Sequence, residues 1–566
     1  MNTATTLDGM SLVRGIPLSE EKGIGALTLG DYLKEVTTRF SEREVAVMRN
    51  GDDVERWTYA DLWSRSVAVA RALLACGAGK GTRVGILMTN RLEFLSATFG
   101  TALAGGVATT MSTFSTAAEL EVLVRNSGCS ILLLERNILK KDFAAMMTEL
   151  EPRITTSAPG KLQSTQFPFL RHLAMVDEEQ AMGAIEGWSG FLARGEAISP
   201  EIVVATAASV APADPGMLFF SSGSTGKPKG ILSAHRGVCL QLWRWARWYA
   251  FGDDVRAWSA NGFFWSGNFA MALGGTLSAG GSLILQRTFQ PEEALSLMAA
   301  EKATFLCAWP HQWAQLTDAG NWLEVDLSAM RYTDAKSPIA QHPTIDTDWI
   351  EPACAYGNTE TFTLSTVFPA NTPDDVTAGS HGVPAAGNSL KIVEPLTGAT
   401  VPLGERGEIA VKGPTLMLGY IGIPLDETLD EEGFFHTGDG GYIDDQGRLY
   451  WEGRLNDIIK TGGANVSPVE IDTVIAKCPG VKVTKTVGVP DELLGELVVA
   501  CIVPQDGATL TADQVREFTK QQLASYKVPR RVLFFDEDEL EVTGSAKVKS
   551  STLRELAAKR LDSGDG

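Results

Sequence analysis

Cysteine pairs spaced for metal or redox work are absent. The seven cysteines, at 76, 129, 239, 307, 354, 478 and 501, are scattered, odd in number and free of any Cys-x-x-Cys. That pattern excludes a disulfide framework and a cysteine zinc site, and fits reduced thiols in a cytoplasmic protein. No apolar run reaches the roughly 20 residues a membrane span needs. The mixed, polar first twenty-five residues hold no apolar stretch of the secretory kind. Positive charge is also short: 49 Lys and Arg against 69 Asp and Glu leave a net charge of −20. A nucleic-acid partner needs a basic face and is therefore excluded. No internal repeat or low-complexity tract stands out. The expectation is a soluble cytoplasmic enzyme without a membrane span, with monomer and homodimer both open.

What is present is ordinary for a globular protein: 44% hydrophobic and 21% charged residues over 566 positions, too long for one core. Residues 1–25 read as a poorly ordered or loosely docked lead-in. Thr58-Tyr59-Ala60-Asp61 opens a helix running to Gly77, with Thr58 as cap. Val84–Met88 reads as a buried strand, 91–104 and 117–126 as helices, and Ser130–Leu134 as another strand. Strand alternating with helix predicts an α/β fold with a mostly parallel, doubly covered sheet. Residues 195–215 read as a surface crossing. A helix over 236–250 carries Trp243, Trp245 and Trp248 as core packing, and five of the thirteen tryptophans fall between 243 and 265. The decapeptide-length stretch Gly441–Tyr450 reads as two strands around a turn. Past Arg454 the elements shorten: a helix at 468–477, strands near 483–489 and 496–503, a helix at 511–524 and a strand at 531–535. This predicts a large N-terminal domain, 1–455, and a small α+β C-terminal domain, 456–566, with the boundary at Leu455-Asn456.

The strongest local signal is Ser221-Ser222-Gly223-Ser224-Thr225-Gly226-Lys227-Pro228-Lys229-Gly230, directly after the apolar Met217-Leu218-Phe219-Phe220. Hydroxyls, bare backbone N–H groups and two ammonium groups within one loop suit oxyanions, and glycine lets the backbone approach them. It is not a Walker loop, because only Ser224 and Thr225 separate Gly223 from Gly226. A flexible surface loop is the plain alternative; two lysines and a proline after a buried strand favour a triphosphate cradle.

With three later stretches this loop closely resembles the adenylate-forming superfamily of acyl-CoA synthetases, luciferases and peptide-synthetase adenylation domains. The stretches are Tyr356-Gly357-Asn358-Thr359-Glu360, Thr437-Gly438-Asp439 with Gly453-Arg454, and Thr543-Gly544-Ser545-Ala546-Lys547. They stand in the family's order and cover nearly the whole chain. The resemblance implies ATP, magnesium and coenzyme A as partners of a small-molecule carboxylic acid. It gives Ser221, Ser222, Gly223, Ser224, Thr225, Gly226 and Lys229 to the departing phosphates, and Ser337 and Tyr356-Gly357-Asn358 to the nucleotide. Thr359 falls to the α-phosphate, Glu360 to magnesium, and Asp439 and Arg454 to the ribose. Lys547 would bridge the acid and the α-phosphate, and the small domain would then rotate to bring Lys460-Thr461-Gly462-Gly463 to the cleft. The acyl pocket would be bordered by Trp265, Ser266, Phe269, Trp309 and His311. Trp265 sits in Gly262-Phe263-Phe264-Trp265-Ser266-Gly267-Asn268, read as a glycine-flanked strand end where the family often has His.

The chain departs from the family at three places. The Gly-Lys pair is Ala546-Lys547, the adenine-side segment is Ala335-Lys336-Ser337-Pro338-Ile339, and the hinge is Asn456. None removes a group the chemistry requires. The implied activity is ATP-dependent acid–CoA ligation through an acyl-adenylate, on a hydrophobic medium- or long-chain, alicyclic or aryl acid. Transfer to an amine or a carrier-protein thiol is the alternative, and a non-catalytic nucleotide binder the remote one. Amino acids are disfavoured, because no Asp stands in residues 262–271 to pair with an α-ammonium.

Overall fold

Parallel pairing fixes the larger part of the architecture. The computed structural model describes the chain except for residues 1–4, 7–8, 52, 222–227, 353–354, 462–463, 492–493, 524–526, 537–538, 540–549 and 564–566. The described residues form two compact units. The first holds 14–389 and 411–435; the second holds 5–13, 390–410 and 436–566.

In the first unit an eight-stranded sheet runs Ile185–Gly187, His172–Val176, Ile131–Glu135, Arg83–Leu87, Val107–Thr110, Pro215–Ser221, Lys229–Ala234, Gly419–Tyr420. The first six strands pair parallel, and the last two join antiparallel. Ile131-Leu132-Leu133-Leu134 is buried along its whole length, as a strand covered on both faces must be. The covering helices begin where the sequence caps them. Thr58 and Asp61 close a reciprocal capping box on Tyr59–Ala75, and Thr116 and Glu119 do so on Ala117–Ser127. A five-stranded sheet places Phe305–Cys307, Arg256–Ser259, Ser282–Leu285, Glu44–Asn50 and Asp53–Thr58 side by side. A three-stranded antiparallel sheet holds Ala355–Asn358, Thr363–Val367 and Val383–Pro384. The helix His235–Trp248 buries Trp243, Trp245 and Trp248 in the main core.

In the second unit the strands Phe435–Ile443 and Leu449–Arg454 form an antiparallel pair. Beyond them a small sheet runs Ala464–Val466, Ile459–Thr461, Gly495–Pro504, Val481–Asp491, with Arg531–Phe534 parallel to Gly495–Pro504. Ile471 and Ile475 of the helix Pro468–Ile475 pack on one face of it; Leu553 and Ala557 of the helix Ser550–Ser563 pack on the other. The expected boundary at Leu455-Asn456 falls inside this unit, in the short turn Leu455–Asp457.

Three expectations need correction. The 195–215 segment contains a helix, Pro200–Ala208. Pro200 sits at the start, where its fixed φ is compatible with a helix and no intrahelical donor is lost; Val203 is the residue it buries. Gly262–Asn268 is not a strand end: the strand stops at Ser259, and Ser266–Asn268 turns helical before a π-helical stretch, Phe269–Gly274. Nor is the lead-in loose around Glu21. Arg244, fully buried on the helix His235–Trp248, donates from Nε at 3.1 Å and from Nη2 at 2.8 Å to the Glu21 carboxylate, and from Nη2 to the Ala386 carbonyl at 2.6 Å. Arg247 pairs with the same carboxylate. A buried guanidinium demands a counter-charge, and the lead-in supplies it.

Removing that counter-charge has a large expected effect. Glu21→Ala leaves Arg244 buried and unpaired, so the folded state should lose about 3–5 kcal/mol. Chemical denaturation of the variant against the parent checks this; equal midpoints would contradict it.

Candidate active site

Ser221 and Lys229 stand directly opposite each other in the antiparallel pair, so the two ends of the Ser/Gly-rich loop are pinned together. Ser222, Gly223, Ser224, Thr225 and Gly226 lie outside the described residues. Lys229 has its ammonium 4.9 Å from the centre of the Tyr420 ring. Tyr420 pairs with Ile231 on the neighbouring strand, which makes it the diagonal cross-strand neighbour of Lys229. Its hydroxyl donates to Glu360 Oε1 at 2.7 Å. The Met417 N–H donates to the Glu360 carbonyl at 2.7 Å, fixing the backbone of the same residue. No motif singled out Tyr420. Its contacts span about 190 and 60 positions of sequence, which local pattern does not reveal.

Glu360 sits in a one-turn 3-10 segment, Thr359–Thr361, closed by the Asn358 side chain, which accepts from the Thr361 N–H. Immediately after it Phe362 and Thr363 both have positive φ, 44° and 79°. Such backbone costs about 1–3 kcal/mol per residue and persists only where packing imposes it. Packing is present: the Phe362 ring is buried 5.4 Å from that of Phe219, and Trp245 Nε1 donates to Thr363 Oγ1 at 3.2 Å. Gly357 opposes this turn. A Cβ there would lie 1.8 Å from the Thr363 carbonyl oxygen, so the glycine is required by the pairing of two strands. Tyr356 is buried. One carboxylate in such a turn suits a hard octahedral cation completed by phosphate oxygens and water. Among the described residues no group of three or more His, Cys, Asp or Glu could hold a metal alone.

On the adenine-side segment the Lys336 ammonium pairs with Asp374 at 3.2 Å on the surface, so this side chain is directed outward. Ser337 is buried and lines a small cavity of about 10 Å³ together with Trp313, Thr333, Asp334 and Glu351. Trp313 Nε1, Thr333 Oγ1 and Ser337 Oγ are buried without a partner among the described residues, a set that one water would satisfy. Burial, then the nearby Asp334 charge, push the Glu351 carboxyl up to about 7.

The aromatic loop is held by amides. Asn90 accepts from the Phe263 N–H at 2.8 Å and donates to the Asn261 carbonyl at 2.7 Å. Asn268 donates to the same carbonyl, and Ser259 donates to Asn268 Oδ1 at 2.7 Å. Gln312 Nε2 donates to Asn261 Oδ1 at 3.2 Å, which brings the start of the helix Pro310–Thr317 beside the loop. Trp265 and Ser266 lie on this loop, Trp265 half-buried with its ring 5.0 Å from that of Phe264. Trp309 and His311, at the helix start, are exposed. Phe269 is fully buried against Phe219 at 6.0 Å and belongs to the core beneath the loop.

In the second unit Asp439 and Arg454 stand opposite each other across the strand pair. Arg454 Nε lies 3.0 Å from Asp439 Oδ1, and Arg454 Nη1 donates to the Thr437 carbonyl at 2.7 Å. Gly438 has φ 71°, and its N–H donates to Glu408 Oε1 at 2.8 Å. Glu408, which no motif indicated, thus fixes the turn that presents Asp439. Lys460 is exposed, with its N–H donating to Glu496 at 2.7 Å. Lys547, Gly462 and Gly463 lie outside the described residues, as does the Asn456 side chain.

Comparison with known proteins finds two family models along the chain. The family model described as AMP-binding enzyme matches residues 33–421, and the AMP-binding enzyme C-terminal domain matches residues 470–547. A 7a-methyl-1,5-dioxo-octahydro-1H-inden-4-yl propanoyl:CoA ligase of Mycobacterium tuberculosis is 31% identical over 88% of this chain and 94% of its own. Feruloyl-CoA synthase of an Amycolatopsis species is 29% identical over 91% of this chain and 96% of its own. The crystal structure of ATP-bound MatB from Rhodopseudomonas palustris has a TM-score of 0.70 at 25% identity, covering 94% of this chain and 99% of that one.

The Glu351 cavity generates a pH prediction. The folded state keeps the proton up to about pH 7, whereas the unfolded chain releases it in the ordinary carboxylate range. Stability should therefore fall as pH rises through that window, by roughly 3–4 kcal/mol at most. Glu351→Gln should flatten the fall in melting temperature between pH 4.5 and pH 7.5; a parallel pair of curves would refute the assignment.

Proposed function

We propose, from the premise that the chain belongs to the AMP-binding enzyme family, that it is an ATP-dependent acid–CoA ligase acting on a hydrophobic carboxylic acid. The observation that carries this reading is the assembly in one unit of the Ser221–Lys229 loop closure with the Glu360 turn, joined through Tyr420. A carboxylate is a poor acylating agent because its leaving group would be oxide. Attack of the acid's oxygen on the α-phosphorus of ATP forms a P–O bond as the α–β P–O bond breaks, and pyrophosphate leaves. Thiolate sulfur of coenzyme A then attacks the acyl carbon, and AMP leaves. The first step needs positioning and charge neutralisation above all.

The residues divide the work as follows. The Ser221–Gly226 loop and Lys229 hold the departing phosphates, Thr359 contacts the α-phosphate, and Glu360 holds the cation. Magnesium, when bound, neutralises phosphate charge. Ser337 and Tyr356-Gly357-Asn358 flank the base, while Asp439 accepts from the ribose hydroxyls and Arg454 orients it. Lys547 bridges acid and α-phosphate in the first step, and Lys460 serves the second after the 456–566 domain has rotated. Trp265 shapes the acyl pocket, with Ser266, Trp309 and His311 at its rim. Alicyclic propanoyl, feruloyl and medium-chain acids are the groups named for its relatives, so alicyclic and aryl acids head the panel of substrates. A cytoplasmic location goes with this reading.

Pyrophosphate release over an acid panel, with and without coenzyme A, tests the reading. Bulky hydrophobic acids should exceed acetate and amino acids, and Trp265→Ala should shift preference further toward bulk, by about 10-fold or more in relative kcat/KM. Equal rates on acetate and on a bulky acid would overturn the pocket. Lys547→Ala should cripple adenylate formation yet still convert supplied acyl-AMP and coenzyme A to thioester, as read by rapid quench. Equal loss of both half-reactions in a folded variant would overturn the alternating use of the two lysines.

A further inference from the structure

Tyr420 touches both charged groups of the phosphate half-site at once. Its ring face carries the Lys229 ammonium at 4.9 Å, and its hydroxyl carries Glu360 Oε1 at 2.7 Å. Lys229 and Glu360 are oppositely charged and serve the same triphosphate, and among the described residues they form no ion pair with each other. Two such groups left adjacent would neutralise each other, and each incoming ligand would first have to break them apart. The tyrosine offers each a separate partner: a quadrupole for the cation and an O–H donor for the anion.

We propose that Tyr420 is a positioning residue that keeps Lys229 and Glu360 apart and pre-aimed, so that anion and cation sites stand open together. Backbone bonds on both sides hold it in place. Leu418 N–H donates to the Leu232 carbonyl at 2.7 Å, and Ile421 N–H donates to the Gly230 carbonyl at 2.8 Å. Glu360 is in turn held by the Met417 N–H from the same segment. These bonds fix the backbone from which the phenol projects, and its contacts with Lys229 and Glu360 set its direction. The inference rests on the proposed assignment of Lys229 to phosphate and Glu360 to magnesium, and it adds a role that neither residue has alone.

The two contacts can be separated by chemistry. Tyr420→Phe keeps the ring under Lys229 and removes the donor to Glu360; Tyr420→Leu removes both. Calorimetry with ATP, in EDTA and in magnesium, reads them on the full chain without turnover. Tyr420→Phe should bind ATP in EDTA like the parent, while the gain in affinity on adding magnesium drops about tenfold. Tyr420→Leu should also lose affinity several-fold in EDTA. In a Glu360→Gln background the Tyr420→Phe change should have no further effect. That cycle remains decisive even if the leucine variant fails to fold. A phenylalanine variant with an unchanged magnesium gain, or one that loses both affinities alike, overturns the proposal. ATP binding that shows this split, without pyrophosphate release on any acid, would leave the proposal standing and remove only the ligase reading. A parent chain that binds no ATP would overturn both.

Discussion

A parallel sheet cannot close a short loop, because successive parallel strands lie the same way round and need a long crossover. The eight-stranded sheet first changes direction between Pro215–Ser221 and Lys229–Ala234, and again at Gly419–Tyr420, and the surroundings of the Ser/Gly-rich loop depend on the first change. Antiparallel pairing brings Ser221 and Lys229 face to face, so the loop between them has both ends fixed. The second strand then exposes an edge for Gly419–Tyr420. A side chain more than four hundred positions into the chain thereby comes to lie beside one at 229. The order of strands, more than any single contact, decides which groups meet.

Strain concentrates at the neighbouring element. Phe362 and Thr363 take left-handed backbone in succession, and Gly357 lies against the Thr363 carbonyl too closely for any side chain. The core tryptophan Trp245 and the ring of Phe219 hold that turn from behind. Rows of aromatic residues that composition alone would assign to packing are thus also the brace for the Glu360 turn.

Much of this was legible in the sequence because it is local. Thr58 with Asp61 and Thr116 with Glu119 announce their helices within four residues, and the apolar run at 131–134 announces a strand buried on both faces. The loop at 221–230 and the 356–360 and 437–439 stretches carry their chemistry in adjacent letters. What local pattern hides is partnership over distance. Glu408 under Gly438, Asn90 under the aromatic loop and Tyr420 beneath Lys229 look like ordinary polar residues until the chain folds. The docking of the lead-in was hidden for the same reason, since Glu21 is defined by an arginine 223 positions away. The helix Pro200–Ala208 was hidden differently: its Ala- and Val-rich face is mostly exposed and gives no amphipathic signal.

The π-helical stretch Phe269–Gly274 joins the aromatic loop to the helix Gly275–Ala279. A π turn accommodates one residue more than an α turn over nearly the same rise. Each residue added to or removed from a helix rotates what precedes it by about 100°. The direction in which Trp265 looks is therefore encoded in a count of residues as much as in their identity. Chains that differ here by a single insertion or deletion would keep the same loop sequence and yet turn Trp265 another way.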